Sequence, residues 1–187
     1  MNPRGEGRKA RLGGWFLQIS LIAIGGRPSL GLELNAQSYF TQPPWRVEFT
    51  NYDWLVDQGG PEYFFTVSLA QNAGADLGGL VITQTSGSDQ TFWIDPTQTT
   101  AFFGRPRQEG TAIPVRAQFH EQKRIMRVEF PERPPAGSTL TVVLRPPNNP
   151  SLNDLYLFAV EALPAGPNPA AAPLGFARME ILDDWGR

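Results

Sequence analysis

Cysteine is absent from the 187 residues, and histidine occurs once. The first absence removes disulfides and thiolate metal sites, and with them the cysteine that a lipid anchor would need. The second leaves His120 as the one imidazole for general-base or metal chemistry. Serine-histidine-aspartate hydrolysis lacks its G-x-S-x-G turn. Gly59-Gly60 and Gly78-Gly79 do not have the spacing of a phosphate-binding loop. There is no repeat with a period of about 20–50 residues and no amphipathic helix of about three turns. The apolar run at Leu12–Ile24, interrupted by Gln18 and Ser20, has about 13 residues. That is short of the roughly 20 that span a bilayer.

Residues 1–31 have the order of a secretory signal. Arg4, Arg8, Lys9 and Arg11 precede the apolar run, and small residues follow around Ser29-Leu30-Gly31. Cleavage after Gly31 is expected, with Ala36 the next choice; an uncleaved anchor or a buried helix is the competing reading. Export follows: periplasm or cell envelope, with thylakoid lumen and cell exterior as other destinations. Loss of 1–31 would take five basic residues and one acidic one from totals of 16 and 18, leaving a formal charge near −6. Such a surface repels phosphate backbones and argues against nucleic acid as a partner. No membrane span is expected once the signal is gone. Residues 32–187 read as a single β-rich domain with a flexible C-terminal tail.

Glycine and proline are plentiful, 19 and 18 residues, and between them lie short runs that alternate apolar with polar. In the central stretch, residues 125–166, Met126, Val128 and Phe130 alternate with Arg127 and Glu129. Leu140, Val142 and Leu144 do the same, as do Tyr156, Phe158 and Val160. Successive side chains of a pleated strand point to opposite faces, so this period means strands with one dry face. Pro131, Pro134 and Pro135 force the chain out of the sheet. The prolines and asparagines of 146–153 make a loop whose amides can bond their own backbone.

Further strands are expected at Leu32–Gln42, Trp45–Phe49, Tyr63–Leu69, Leu77–Thr85 pairing back toward it, Thr91–Ile94, Thr99–Phe103, Val115–Phe119 and Leu174–Leu182. Arg105–Gly110 reads as a mobile polar segment. Eight to ten short strands separated by Gly and Pro predict an all-β, antiparallel β-sandwich, immunoglobulin-like in style. A closed β-barrel is the alternative.

Several of these segments carry a resemblance: TQPPW at 41–45, NAGADLGGLVITQ at 72–84, TTAFFG at 99–104, PPAGSTLTVVLRPPNNP with LYLFAVEALPAG through 134–166, and LGFARMEIL at 174–182. They are similar to an uncharacterised, exported domain-of-unknown-function family found mainly in cyanobacteria. Ala159 and Ala177 stand where that pattern is expected to carry glycine, and Glu180-Ile181 departs from its ending. The resemblance implies export and a β-rich domain, and carries no activity.

The residues with a chance of binding something are few. Flat indoles stack on sugar rings or anchor partners, which selects Trp54 and Trp93; filling or capping the core is their plainer role, as for Trp45 and Trp185. Arg145, Asn148 and Asn149 could form a polar recognition edge, against a purely structural turn. A glycosidase would need two carboxylates across a cleft, and Glu129, Glu132, Asp53 and Asp57 are the candidates against a background of solvated surface. A metal site would have to combine His120 with inward-facing Met126 or Met179. No cofactor and no catalytic or metal residue is expected. The favoured function is an exported, non-enzymatic binding or structural module of the bacterial cell envelope, its partner an envelope protein or polysaccharide. A carboxylate-dependent polysaccharide hydrolase and a periplasmic metal-handling sandwich are the alternatives.

Overall fold

Period-two segments fold into twelve strands in the computed structural model, which describes residues 32–34 and 37–183. They are β1 (Leu32–Leu34), β2 (Gln37–Tyr39), β3 (Val47–Asn51), β4 (Tyr63–Ser68), β5 (Leu77–Ser86), β6 (Thr100–Arg105), β7 (Gln108–Ile113), β8 (Arg116–His120), β9 (Ile125–Glu129), β10 (Thr139–Leu144), β11 (Asp154–Pro164) and β12 (Ala172–Ile181). The signal expected at 1–31 and Trp185 lie outside the described residues.

Two five-stranded antiparallel sheets result, in the orders β3-β4-β10-β6-β7 and β12-β11-β5-β9-β8, beside a small β1-β2 hairpin. Each sheet keeps two different edge strands, so the architecture is a sandwich and the barrel alternative is set aside. The expected alternation sets the inner faces. Tyr63, Phe65 and Val67 of β4 and Leu140, Val142 and Leu144 of β10 are buried from one side; Leu80, Ile82, Met126, Val128, Tyr156, Phe158 and Val160 are buried from the other. Phe65 and Phe158 meet edge to face between the sheets, with ring centroids 6.1 Å apart. Burying each such side chain stabilises the fold by roughly 1.5–3 kcal/mol.

Four expectations are corrected. β5 does not pair with β4: it crosses to the other sheet and lies between β11 and β9. Leu69, Ala73 and Ala75 are buried along that crossing and draw it over the sandwich. Leu32–Gln42 is not one strand, because Leu32–Leu34 and Gln37–Tyr39 pair with each other antiparallel. Arg105–Gly110 is not a loose loop: Arg105 ends β6, Gln108–Gly110 begin β7, and only Pro106-Arg107 turn between them, with Arg107 left-handed at φ 65°. β7 carries no periodic signal, because it is an edge strand with only Ile113 buried, so no dry face marks it. Gly104, at φ +110° in the β6–β7 bulge, lets Gln108 O approach to 2.3 Å of where a Cβ would stand.

Thr91–Ile94 is the fourth. It alternates, with Phe92 and Ile94 buried and Trp93 exposed, yet it joins no ladder. Its backbone groups are taken elsewhere: Thr91 N and Phe92 N donate to the Asp89 carboxylate, and Phe92 O accepts from Arg124. Side-chain partners replace a strand neighbour there.

Candidate functional site

Strand directions collect the loops after β3, β5, β10 and β12 at one end of the sandwich, as the pairs Asn51↔Tyr63, Tyr63↔Leu144, Ser86↔Leu157 and Asp154↔Ile181 require. Trp54, Trp93, Arg145, Asn148 and Asn149 all lie there. Trp93 and the two asparagines line one open recess of about 220 Å3, together with Asp57, Asp89 and Ser151. Trp54 lines another, of about 350 Å3, with Asn51, Arg178 and Glu180. Arg145 lines neither.

The recess is held by a continuous set of hydrogen bonds. Asn149 is buried, and its Oδ1 accepts from the Tyr63 hydroxyl at 2.7 Å. Its Nδ2 donates to Asp53 O and Leu55 O, at 2.9 and 2.8 Å. The side chain therefore ties the loop after β3 to the loop after β10 rather than bonding its own loop. Backbone bonds from Gly60 N to Pro147 O and from Asn149 N to Gln58 O close the same seam. Arg145 is likewise engaged, donating to Glu62, Gln98 O and Thr100.

Asp89 is the residue that the sequence did not single out, although the spacing Asp89-x-Thr91 is that of a side chain bonding backbone two residues on. The residue is 6% exposed. Oδ1 accepts from Thr91 N, Thr91 Oγ1 and Phe92 N, and Oδ2 from Ser151 N and Ser151 Oγ. Burial works to raise its pKa, but the bonds from Thr91 and Ser151 outweigh burial and hold it at about 2. Five donors converging on one carboxylate are enough to favour the ionised form over desolvation.

Beneath it, Arg124 is buried in a left-handed turn at φ 54°. Nε donates to Gln84 and Nη2 to Phe92 O, while the guanidinium lies 4.8 and 5.1 Å from the ring centroids of Phe92 and Phe119. Nη1 has no protein partner. Phe119 meets Trp93 edge to face at 5.4 Å, so the indole is supported on one side and 46% exposed on the other.

The tryptophans among the described residues are outside the core. Trp45, Trp54 and Trp93 are 76%, 54% and 46% exposed, which overturns the filling role. The Arg46 guanidinium lies 4.3 Å from the Trp45 ring centroid. Met126 and Met179 are buried while His120 stands outside at the end of β8, so thioether and imidazole cannot share an ion. Among the described residues no three His, Cys, Asp or Glu side chains gather to hold a metal, and no helix is long and apolar enough to cross a membrane. Of the four proposed carboxylates, Asp57 alone lines a recess with a second carboxylate, Asp89.

Two facing antiparallel sheets with a loop-built recess at one end define an all-β sandwich domain. The chain belongs to the family described as protein of unknown function DUF2808, matched over residues 37–181. No curated protein matches it. Among solved structures it is similar to the collagen-binding domain of a Staphylococcus aureus adhesin, at 7% identity and TM-score 0.43, covering 75% of this chain and 99% of that one. It is also similar to a cohesin module from a Clostridium perfringens family 33 glycoside hydrolase, at 11% and 0.47, covering 76% and 100%. BslA, a bacterial hydrophobin, follows at 17% and 0.41, covering 73% and 95%. Each likeness is one of fold alone.

Proposed function

We propose that the chain is an exported, non-enzymatic binding module of the bacterial cell envelope, and that its loop end binds a neutral polysaccharide. One observation carries this reading: the half-exposed Trp93 indole, fixed edge-on by Phe119, faces solvent beside the exposed Asn148 amide and the Asp57 carboxylate. A flat apolar face flanked by acceptors and donors suits a sugar ring, whose C–H face stacks and whose hydroxyls bond sideways. The walls are already fastened by Asn149 and Asp89, so little ordering is needed on binding. Export is supported by the basic, apolar, small-residue order of 1–31.

Asp57 beside Asp89 gives the hydrolase reading its one footing. A glycosidase, however, needs one carboxyl with a raised pKa to protonate the leaving oxygen. Asp89 is held low instead, with every oxygen engaged. The full chain should therefore retain β-glucan, xylan or mannan oligosaccharides on an array without shortening them. Chain cleavage of any of these would transfer the case to the hydrolase.

A further inference from the structure

We propose that the opposite end of the sandwich holds a second and separate site, for a carboxylate-bearing polysaccharide. There the ends of β9 and β11 and the start of β5 enclose an open cleft of about 280 Å3, lined by Arg116, Arg127 and Arg133 with Glu129 as its only acid. Glu129 is engaged by Arg127 Nε at 3.0 Å. Arg116 and Arg133 have no acidic partner among the described residues, unlike Arg105, paired with Glu48, and Arg145, paired with Glu62. The whole chain carries a formal charge of −2, so three arginines against one glutamate in the cleft lining are a local reversal of sign. Guanidinium forks without an acidic partner, as at Arg116 and Arg133, match carboxylates geometrically and attract them at range.

The cleft's floor and walls favour a sugar polymer over a peptide. At Gly78 a Cβ would stand 2.9 Å from Pro164 O and 3.1 Å from Ala165 Cα, so the floor there is bare backbone. Pro131, Pro164 and Pro169 form rigid edges that have no N–H to offer an added strand. Only β8, the edge strand of that sheet, could take an added peptide strand, and it reaches the cleft through Arg116 alone. A uronate chain needs only charge and a smooth, firm surface.

Calorimetric titration of the full chain with alginate oligosaccharides tests this. Saturable binding is expected at low salt, weakening as salt rises. Arg116→Gln with Arg133→Gln should lower the affinity at least tenfold without lowering the melting temperature, and Glu129→Gln should raise it. Trp93→Ala should leave alginate binding unchanged, so failure at the loop end and failure here are distinguishable. No alginate binding, binding indifferent to the two arginines, or equal binding of poly-glutamate would overturn the proposal.

Discussion

The Tyr63 hydroxyl donates to Asn149 Oδ1 at 2.7 Å, joining residues 86 positions apart in the sequence. Both side chains are buried, and the same amide closes on Asp53 O and Leu55 O. Two loops and the first residue of β4 thus share one side chain. Asn149→Ala would leave the buried Tyr63 hydroxyl without its partner and take one donor each from Asp53 O and Leu55 O, which keep Asn51 Nδ2 and Gln58 N; it should cost about 1–3 kcal/mol, read from urea unfolding. Tyr63→Phe should cost about 1 kcal/mol. The two together should show a coupling of about 1 kcal/mol in a double-mutant cycle; strict additivity would mean that the bond does not form.

Asp89 sets an acid limb of stability. Its carboxyl is held at about 2 against the ordinary 3.8. A depressed carboxyl stabilises the fold fully above its unfolded pKa and loses that contribution as pH falls through the folded one. The window is therefore pH 4 down to 2, and the contribution is about 2 kcal/mol. Asp89→Asn should be less stable at pH 7 by that order, with the deficit shrinking toward pH 2. Chemical unfolding at several pH values measures it, and a deficit constant with pH would contradict the role.

Gly104 sits in the bulge at the end of TTAFFG, with positive φ and Gln108 O pressed against it. Gly104→Ala should destabilise by about 1–3 kcal/mol through backbone strain. A melting temperature equal to wild type would show that the bulge relaxes freely.

What could be read from residues alone was the part governed by period two. Tyr63, Phe65 and Val67 and Leu140, Val142 and Leu144 turn inward as their alternation demands. Pairing partners were less accessible, because alternation gives a strand its faces and not its neighbour: β5 shows as dry a face as expected while lying in the other sheet. Outer faces also misled. Phe64, Phe102 and Val143 are buried together on the side read as wet, and Thr66 and Thr141 bond across it at 2.8 Å. Thr91–Ile94 had a strand's pattern and lacked only a strand partner, which Asp89 and Arg124 make unnecessary.

The loop-end residues share chemical types suited to binding, and topology gives each a different place. Arg145 and Asn149 are engaged by partners within the protein, Arg145 at a half-exposed site and Asn149 buried, whereas Asn148 and Trp93 face the recess. Asp89 carries little signal in the sequence, because a lone Asp in Ser-Gly-Ser-Asp looks like any turn residue. Only the approach of Ser151, 62 positions away, gives it its second set of donors.

Arg124 supports the indole indirectly. Its guanidinium spans Phe92 and Phe119 and bonds Phe92 O, so Arg124→Ala should loosen the 89–94 loop as well as destabilise the fold. Hydrogen exchange of that loop should rise in the variant relative to β4. Uniform exchange across both would argue against local fastening.

Calorimetric titration of wild type and Trp93→Ala with β-glucan, xylan and mannan oligosaccharides bears most directly on the loop-end site. Removing an indole whose outer face is open should cost only about 1 kcal/mol of stability from the lost ring contact. The account predicts saturable binding of at least one neutral glycan by wild type, and a loss of tenfold or more in the variant. Binding that survives the substitution unchanged, or no saturable binding of any of the three by wild type, would contradict it.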